Sequence, residues 1–213
     1  MTILVRRLGS IDYATSYRAM LDYVDERKNS PESRGDEFWC LQHPPVYTLG
    51  KAGKREHILN AGEIAIMETD RGGQVTYHGP GQVVVYILLR LQDYGIGPKS
   101  LVKHIESGVI RSLAEYGLNG ERRAGAPGVY VYDKKIASLG LRIKNGISYH
   151  GVAVNVDLDL APFTGINPCG FAGLEVTRLA DHVTEISCDA YSDVLVKHLK
   201  DQFLSKAQTQ LVS

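Results

Sequence analysis

Apolar residues recur along this chain with two periods, and the period changes from segment to segment. An apolar residue at every third or fourth position predicts helices over residues 11–24, 99–116 and 191–206. Short alternating or continuous apolar runs predict strands, which cover residues 2–7, 38–42, 46–49, 64–67, 83–91, 129–132, 135–143 and 147–156. The run at 83–91 is apolar on both faces, which is typical of a strand in the middle of a covered sheet.

Two-residue breaks separate the last three predicted strands. Asp133-Lys134 and Asn145-Gly146 fit tight hairpin turns, and Asn-Gly is the stronger signal. The order of elements predicts an α+β fold, within the broad α/β class, with a mixed and largely antiparallel sheet flanked by helices. Because the 213 residues contain no repeat, linker or low-complexity segment, we expect a single domain over residues 1–213.

Composition narrows the classes of function. Hydrophobic residues make up 44% of the chain and charged residues 23%, which is ordinary for a soluble globular protein. Lys plus Arg equals Asp plus Glu at 24 each, so we expect no binding of nucleic acid. The apolar run at 83–89 is too short to span a membrane, and the first residues lack the apolar core of a secretory signal. We therefore expect a cytoplasmic protein with no membrane partner.

Three cysteines, odd in number and far apart, predict neither a disulfide framework nor a zinc site. Cys169 stands out because proline precedes it and glycine follows it, which places the thiol on a turn. Cys40 lies in an apolar strand and is interpreted as core. Cys188 precedes a helix whose N-terminus favours a thiolate, but Glu185 and Asp189 oppose one. Cys169 is the strongest candidate nucleophile, although exposed loop thiols also occur without a role.

A nucleophilic thiol needs a group that favours its thiolate form. With an ordinary pKa near 8.5, about 3% of a thiol is ionised at pH 7, and a cation that lowers the pKa to about 7 raises this to about 50%. Positioning and oxyanion stabilisation must then supply most of the acceleration. Candidate activators are His78 and His150, which lie beside glycines, and the pair Lys134-Lys135, of which strand alternation turns one side chain inward.

A glycine-rich segment leads directly into the most apolar strand of the chain. Its sequence is Arg71-Gly-Gly-Gln-Val-Thr-Tyr-His-Gly-Pro-Gly-Gln82. It contains neither a Walker A loop nor a dinucleotide-binding fingerprint. Because glycine-rich loops that enter buried strands commonly form pocket walls, we interpret it as a loop bordering a pocket, with a plain surface turn as the alternative.

Four motifs, in this order, closely resemble the lipoyl(octanoyl) transferase family: the segment from Arg71 to Gln82, Lys135-Ile-Ala-Ser-Leu-Gly-Leu141, His150-Gly-Val-Ala-Val-Asn-Val156 and Ile166-Asn-Pro-Cys-Gly170. The resemblance extends from about Gln42 to Gly173. It implies the fold of the catalytic module of lipoate and biotin protein ligases, with the acyl chain held in a tunnel. The implied reaction transfers an octanoyl or lipoyl group from acyl carrier protein to the ε-amine of a lysine on a lipoyl-dependent protein.

The resemblance also implies a role for each matching residue. Cys169 matches the nucleophile that carries the acyl group as a thioester, and Lys135 matches the lysine that lowers the pKa of this thiol and is a candidate proton acceptor. At about 4 Å and an effective dielectric constant near 20, such a pair attracts by about 4 kcal/mol before desolvation. Small residues within 136–140 are expected where an alkyl chain passes close to the backbone. The residues that match the acyl-binding walls are Arg71, Gly72, Gly73, Gln74, Val75, Thr76, Tyr77, His78, Ser138, Leu139, Gly140, Gly151, Val152 and Ala153.

The implied donor is octanoyl-acyl carrier protein, whose phosphopantetheine arm bears the thioester. The implied acceptors are the lipoyl domains of 2-oxoacid dehydrogenase E2 subunits and the glycine cleavage H protein. We expect a monomer that needs no ATP, metal or other cofactor, because the thioester supplies the driving force. Three alternatives stay open. The first is an ATP-dependent lipoate or biotin ligase, which needs no nucleophilic cysteine, and the second is a non-catalytic binding module, which needs neither Lys135 nor Cys169. The third is a thiol hydrolase, in which water reaches the acyl-enzyme.

Overall fold

One large sheet and one small sheet carry the predicted site segments. The computed structural model describes residues 2–30 and 34–207, and over these residues it forms nine strands and three helices. The strands are β1 (Ile3–Ser10), β2 (Asp36–Gln42), β3 (Val46–Leu49), β4 (Ala65–Glu68), β5 (Val75–His78), β6 (Gln82–Leu88), β7 (Val129–Val131), β8 (Lys134–Lys144) and β9 (Ile147–Asn155). The helices are α1 (Tyr13–Asn29), α2 (Pro98–Ala114) and α3 (Cys188–Ala207).

The large sheet has the strand order β1-β2-β6-β9-β8-β7, and β1 and β2 are its parallel pair. β6 is buried along its whole length because both faces of the sheet are covered. α2 and α3 contribute to the core on one face, around Val85, Ile105 and Leu199, while α1 packs on the other, around Met20 and Tyr86. This is the mixed, largely antiparallel sheet flanked by helices that the apolar pattern predicts.

Local sequence sets where the helices begin. The Asp12 carboxylate accepts a hydrogen bond from Thr15 N at 3.0 Å, which satisfies one free amide in the first turn of α1. Pro98 opens α2, where the missing N–H has no intrahelical partner to lose. α3 begins at Cys188, three residues before the predicted start, because its first turn contributes little to the apolar periodicity. Across residues 2–30 and 34–207, no helix has the length and apolarity to cross a membrane.

The small sheet has the order β4-β3-β5 and contains a strand that the sequence does not predict. β5 falls inside the glycine-rich segment interpreted as a loop. It pairs antiparallel with β3, so that His78 lies opposite Val46 and Val75 opposite Leu49. Glycines on both sides of Val75–His78 make the segment resemble a loop, although it becomes a strand by pairing with β3.

The two hairpins of the large sheet differ in how well the sequence predicts their turns. Asn145-Gly146 turns as predicted, with φ of 55° and 75°. The other turn consists of Tyr132-Asp133, with φ of 48° and 65°, one residue ahead of the predicted Asp133-Lys134. Both lysines therefore belong to β8, where alternation leaves Lys134 partly exposed and buries Lys135.

Candidate active site

The segment that carries Cys169 is fixed by main-chain hydrogen bonds on both sides. Before the cysteine, Asn167 N donates to His57 O at 2.8 Å. After it, residues 175–177 bond to both main-chain groups of Lys135, at 2.9 and 3.0 Å. These anchors bring together a cysteine and a lysine that are 34 residues apart in the sequence.

Cys169 adopts a left-handed backbone conformation, with φ of 56°. This conformation is uncommon for a residue other than glycine and costs about 1 kcal/mol or more. Pro168 precedes it in the same short turn, and Gly170 follows with φ of 78°. The turn that the flanking proline and glycine predict is present, and it places Cys169 Sγ 3.1 Å from Lys135 Nζ.

Lys135 holds a buried ammonium group beside this thiol, with 3% of the residue exposed. Its Nζ donates to Pro127 O at 2.9 Å and lies 5.6 Å from the centre of the Tyr130 ring, whose face attracts a cation. In the described part of the chain, no carboxylate forms an ion pair with Lys135. A buried cation without an anionic partner is costly, and Cys169 Sγ is the ionisable group that contacts Lys135 Nζ.

Gly128 makes room for the lysine side chain. A Cβ atom at this position would lie 2.5 Å from Lys135 Cε and 2.7 Å from Ala137 O, and φ is 142°. The Gly128 amide donates to the carboxylate of Glu106 on α2 at 3.0 Å, and Glu106 pairs with Arg122 at 3.0 Å. Helix α2 therefore fixes the turn whose carbonyl group orients the ammonium of Lys135.

A cavity begins at Cys169, with about 490 Å³ of space between its atoms, part of which is open to solvent. It brings together most of the predicted wall residues: Arg71, Gly73, Gln74, Val75, Thr76, His78, Ser138, Leu139, Gly140, Gly151, Val152 and Ala153. Gly72 does not line it and instead borders a neighbouring cleft. Tyr77 does not line it either, because its side chain packs with Tyr47 and Phe163 in a separate core.

The cavity also has three wall residues that were not predicted from the sequence: Tyr13, Val84 and Tyr86. His150, which the sequence indicates as a candidate activator of Cys169, lines it as well. Val84 and Tyr86 lie on β6, where a continuous apolar run indicates burial but not which face borders a cavity. Tyr13 is the first residue of α1 and gives no signal of its own. His150 lies beside Gly151 in a matched motif, and this neighbouring glycine is the feature that indicates a place at the pocket.

The buried guanidinium of Arg71 explains one of the wall glycines. Arg71 donates to Thr48 O at 2.6 Å and to Gln74 O at 2.8 Å. A Cβ atom on Gly140 would lie 2.8 Å from Arg71 Cδ. A Cβ atom on Gly151 would lie 1.9 Å from a main-chain oxygen of β6. These glycines are required by contacts within the protein, whereas the sequence suggested that small residues serve the passing alkyl chain.

Asp70, directly before the glycine-rich segment, forms hydrogen bonds to β9 that hold this segment beside the cavity. Its carboxylate accepts hydrogen bonds from the Tyr149 hydroxyl and from His150 Nε2, the latter at 3.0 Å. Burial alone disfavours the ionised form, but hydrogen bonds from His150, Tyr149 and Tyr17 hold the pKa of Asp70 well below its usual range. Burial lowers the pKa of His150, against the opposing effect of Asp70. The segment is thus anchored to β9 by a carboxylate that stays ionised at neutral pH.

Cys169 also borders an open cleft on its other side, with about 1360 Å³ of empty space. Apolar side chains of Leu101, Leu141 and Phe171 line this cleft, together with Lys135. The thiol therefore lies at the junction of a narrow cavity and a wide cleft. Cys169 is therefore accessible from two separate spaces.

The other two thiols are in unreactive surroundings. Burial raises the pKa of the Cys40 thiol. Burial, followed by the charges of Asp157 and Asp189, raises the pKa of Cys188 to about 11. Since the thiolate is the nucleophilic form, neither is prepared to react at neutral pH.

Comparison with known sequences gives extensive matches. Residues 12–200 match the family model described as the lipoyl protein ligase A/B catalytic domain. An octanoyltransferase from Alkalilimnicola ehrlichii is 60% identical over 179 residues, which cover 84% of this chain and 82% of that protein. An octanoyltransferase from Dechloromonas aromatica is 52% identical over 206 residues, which cover 97% of this chain and 99% of that protein.

Solved structures of ligases share the fold. A bipartite lipoate protein ligase from Thermoplasma acidophilum superposes with a TM-score of 0.70 at 16% identity, covering 98% of this chain and 90% of that chain. A biotin protein ligase from Aquifex aeolicus gives 0.56 at 10% identity, covering 98% and 71%. The expected fold of the lipoate and biotin ligase module is confirmed. With a family model over residues 12–200 and relatives more than half identical along most of their length, the chain belongs to the octanoyltransferases of the lipoyl protein ligase A/B catalytic family and is an acyltransferase.

Proposed function

We propose that this enzyme transfers an octanoyl group from a carrier thioester to a lysine of a lipoyl-carrying protein through an acyl-thioester on Cys169. The observation that carries the proposal is the 3.1 Å contact between Lys135 Nζ and Cys169 Sγ, at the junction of the enclosed cavity and the open cleft. The cavity accommodates the acyl chain, and the cleft admits first the donor and then the acceptor.

In the first half-reaction, the Cys169 thiolate attacks the carbonyl carbon of the donor thioester. A new carbon–sulfur bond forms, the bond to the carrier sulfur breaks, and the carrier leaves as a thiolate. The ammonium of Lys135 gives this leaving group a proton and becomes a neutral amine. The products are a free carrier thiol and an acylated Cys169.

In the second half-reaction, the neutral ε-amine of the target lysine attacks the acyl-Cys169 carbonyl. An amide bond forms and the Cys169 thiolate is released. The amine of Lys135 accepts the proton that the attacking nitrogen loses, which restores the ammonium–thiolate pair. Charge and protons balance over the cycle without any external base.

The donor we propose is octanoyl-acyl carrier protein, and the acceptors are E2 lipoyl domains and the glycine cleavage H protein. The family supports these partners, because octanoyltransferases are the relatives at 52 and 60% identity. ATP and metal have no step in the proposed cycle, because a thioester is exchanged for an amide. We propose that the enzyme acts as a monomer and without cofactor.

An ATP-dependent ligase is the second candidate, because lipoate ligases have the same fold. A ligase activates its acyl group as an adenylate and has no use for a buried lysine against a turn cysteine. Purified enzyme should therefore octanoylate a lipoyl domain from octanoyl-acyl carrier protein with ATP omitted. Product formed from free octanoate only when ATP and Mg²⁺ are added would support the ligase instead.

A further inference from the structure

The cavity is closed beside β6, where Tyr13, Val84 and Tyr86 line it and each of these residues is buried. Gly140, Gly151 and Tyr86 are paired neighbours on three successive strands, β8, β9 and β6, and the cavity extends along this row. With strands about 4.8 Å apart, β6 lies roughly 10 Å from β8 along this row. His43 directly follows β2, the next strand beyond β6.

Tyr86 lines this end, and hydrogen bonds of fixed direction hold its hydroxyl group in place. Its hydroxyl lies 2.8 Å from His43 Nε2, and His43 Nδ1 lies 2.7 Å from Ile11 O. Because a carbonyl group only accepts, Nδ1 carries the proton, Nε2 accepts, and the Tyr86 hydroxyl donates. Burial lowers the pKa of His43 and raises the pKa of Tyr86, so both groups are neutral at pH 7.

His78 belongs to a second directed chain, which starts at Arg71. Arg71 donates to Thr48 Oγ1, and the Thr48 hydroxyl donates to His78 Nε2 at 3.3 Å. His78 Nδ1 donates to Gln82 Oε1 at 2.7 Å, because the amide nitrogen of Gln82 is the donor to Asn155 Oδ1 at 3.0 Å. Burial is the main cause that lowers the pKa of His78 to about 3, which keeps this imidazole neutral.

Tyr13 fills the space between the two chains. Its ring centre lies 5.1 Å from that of His43 and 5.8 Å from that of His78, and the residue is buried. Its hydroxyl lies 3.4 Å from Thr69 Oγ1, which is a weak hydrogen bond. The Tyr13 ring, rather than its hydroxyl group, therefore occupies this space. His43 and His78 beside it are unable to shift without breaking their own hydrogen bonds.

We propose that Tyr13 sets the upper limit on acyl chain length and that the hydrogen-bonded wall behind it makes this limit sharp. The inference rests on the proposed function, since it requires the acyl chain to extend from Cys169 into the cavity. A wall of flexible apolar side chains re-packs around a longer chain. Neutral His and Tyr groups that are pushed apart instead leave buried polar atoms unpaired, which is costly.

A matched pair of variants at position 13 tests the inference. Tyr13→Phe keeps the ring and loses the hydroxyl, while Tyr13→Ala loses the ring. Each protein is incubated with an equal mixture of acyl carrier protein bearing acyl groups of six, eight, ten and twelve carbons, and the acyl-enzyme is weighed intact. Wild type and Tyr13→Phe should load mainly the eight-carbon group. Tyr13→Ala should raise the ten-to-eight loading ratio by about 10-fold or more.

Val84→Phe provides an opposite change on the same cavity, in case Tyr13→Ala does not fold. Val84 lines the cavity from β6, and a larger side chain there should raise the six-to-eight ratio by about 10-fold. An unchanged ratio in folded Tyr13→Ala, or in folded Val84→Phe, overturns the inference while leaving the proposed function intact. A wild-type enzyme that takes up no acyl group from any donor overturns the proposed function and the inference with it.

Discussion

The two ends of the cavity are held in different ways. At the Cys169 end, main-chain hydrogen bonds fix a strained turn, and one buried cation faces one thiol at 3.1 Å. At the closed end, side-chain hydrogen bonds of fixed direction hold neutral rings around Tyr13. The first arrangement places a buried lysine against the proposed nucleophile, and the second fixes the shape of the space around Tyr13.

This difference predicts that rate and acyl-chain selectivity can be changed separately in this enzyme. Changes at the Cys169 end should lower the rate for every acyl chain alike, because they act on bond making. Changes at the closed end should alter which chain is accepted while acylation of a fitting chain stays possible. A variant that changes both the acylation rate and the chain-length preference would contradict this separation. Variants that change only one of the two would support it.

Lys135→Met should have the largest effect at the reacting end. It removes the ammonium that faces Cys169 and that, in the proposed mechanism, protonates the leaving thiolate, so the acylation rate should fall about 100-fold or more. The rate is measured by intact mass after rapid mixing with octanoyl-acyl carrier protein. Lys134→Met is the control, because that lysine pairs with Glu175 at 3.4 Å and is partly exposed. Equal rates for the two variants would remove Lys135 from the mechanism.

Gly128→Ala should produce a smaller loss at the same end. The new methyl group meets Lys135 Cε at 2.5 Å, so the ammonium must move away from the thiol, and we expect about a 10-fold slower acylation. The octanoyl preference should stay as in wild type. Gly35→Ala is the control, because a Cβ atom at Gly35 has no neighbour within 4 Å. A changed chain-length preference in Gly128→Ala would show that the two ends are coupled.

The closed end should make the protein sensitive to acid. The pKa of His78 is lowered to about 3, mainly by burial, so protonation favours the unfolded chain. The free energy of unfolding should fall as pH drops from about 6.5 towards 3, with a slope of up to about 1.4 kcal/mol per pH unit from this group. His78→Gln should flatten the loss between pH 7 and 5 in urea titrations, and the exposed His182→Gln should not. An identical pH slope for all three proteins would contradict a neutral, buried His78.

Sequence patterns predict much of the fold because its main elements carry local signals. The β8–β9 hairpin shows alternating residues around Asn145-Gly146, and α2 shows a strong apolar stripe. β5 gives no such signal, because its four residues become a strand only through pairing with β3. The turn between β7 and β8 lies one residue ahead of the predicted position. Tyr132 adopts a positive φ there, which tyrosine does not indicate in a sequence. That the whole chain forms one domain stays a prediction.

For the site, resemblance predicts the residues that touch each other, but not the reasons for them. Cys169 and Lys135 do meet, and most of the predicted wall residues line one cavity. Their catalytic and binding roles stay predictions. The sequence does not predict that Tyr13 lines the cavity, because its position depends on ring contacts with His43 and His78, which are distant in sequence. From the sequence, Gly140 suggests room for a ligand, but in the structure it makes room for Arg71, a contact that no sequence pattern reveals.

The central claim is that the acyl group rests on Cys169, and the mass of the enzyme tests it most directly. Wild type, Cys169→Ala and the double variant Cys40→Ser/Cys188→Ser are incubated with octanoyl-acyl carrier protein, without ATP, and weighed intact. We expect one octanoyl group, released by hydroxylamine as a thioester is, on wild type and on the double variant, and none on Cys169→Ala. An octanoyl adduct that persists on Cys169→Ala, or that disappears from the double variant, would contradict the assignment of Cys169 as the nucleophile.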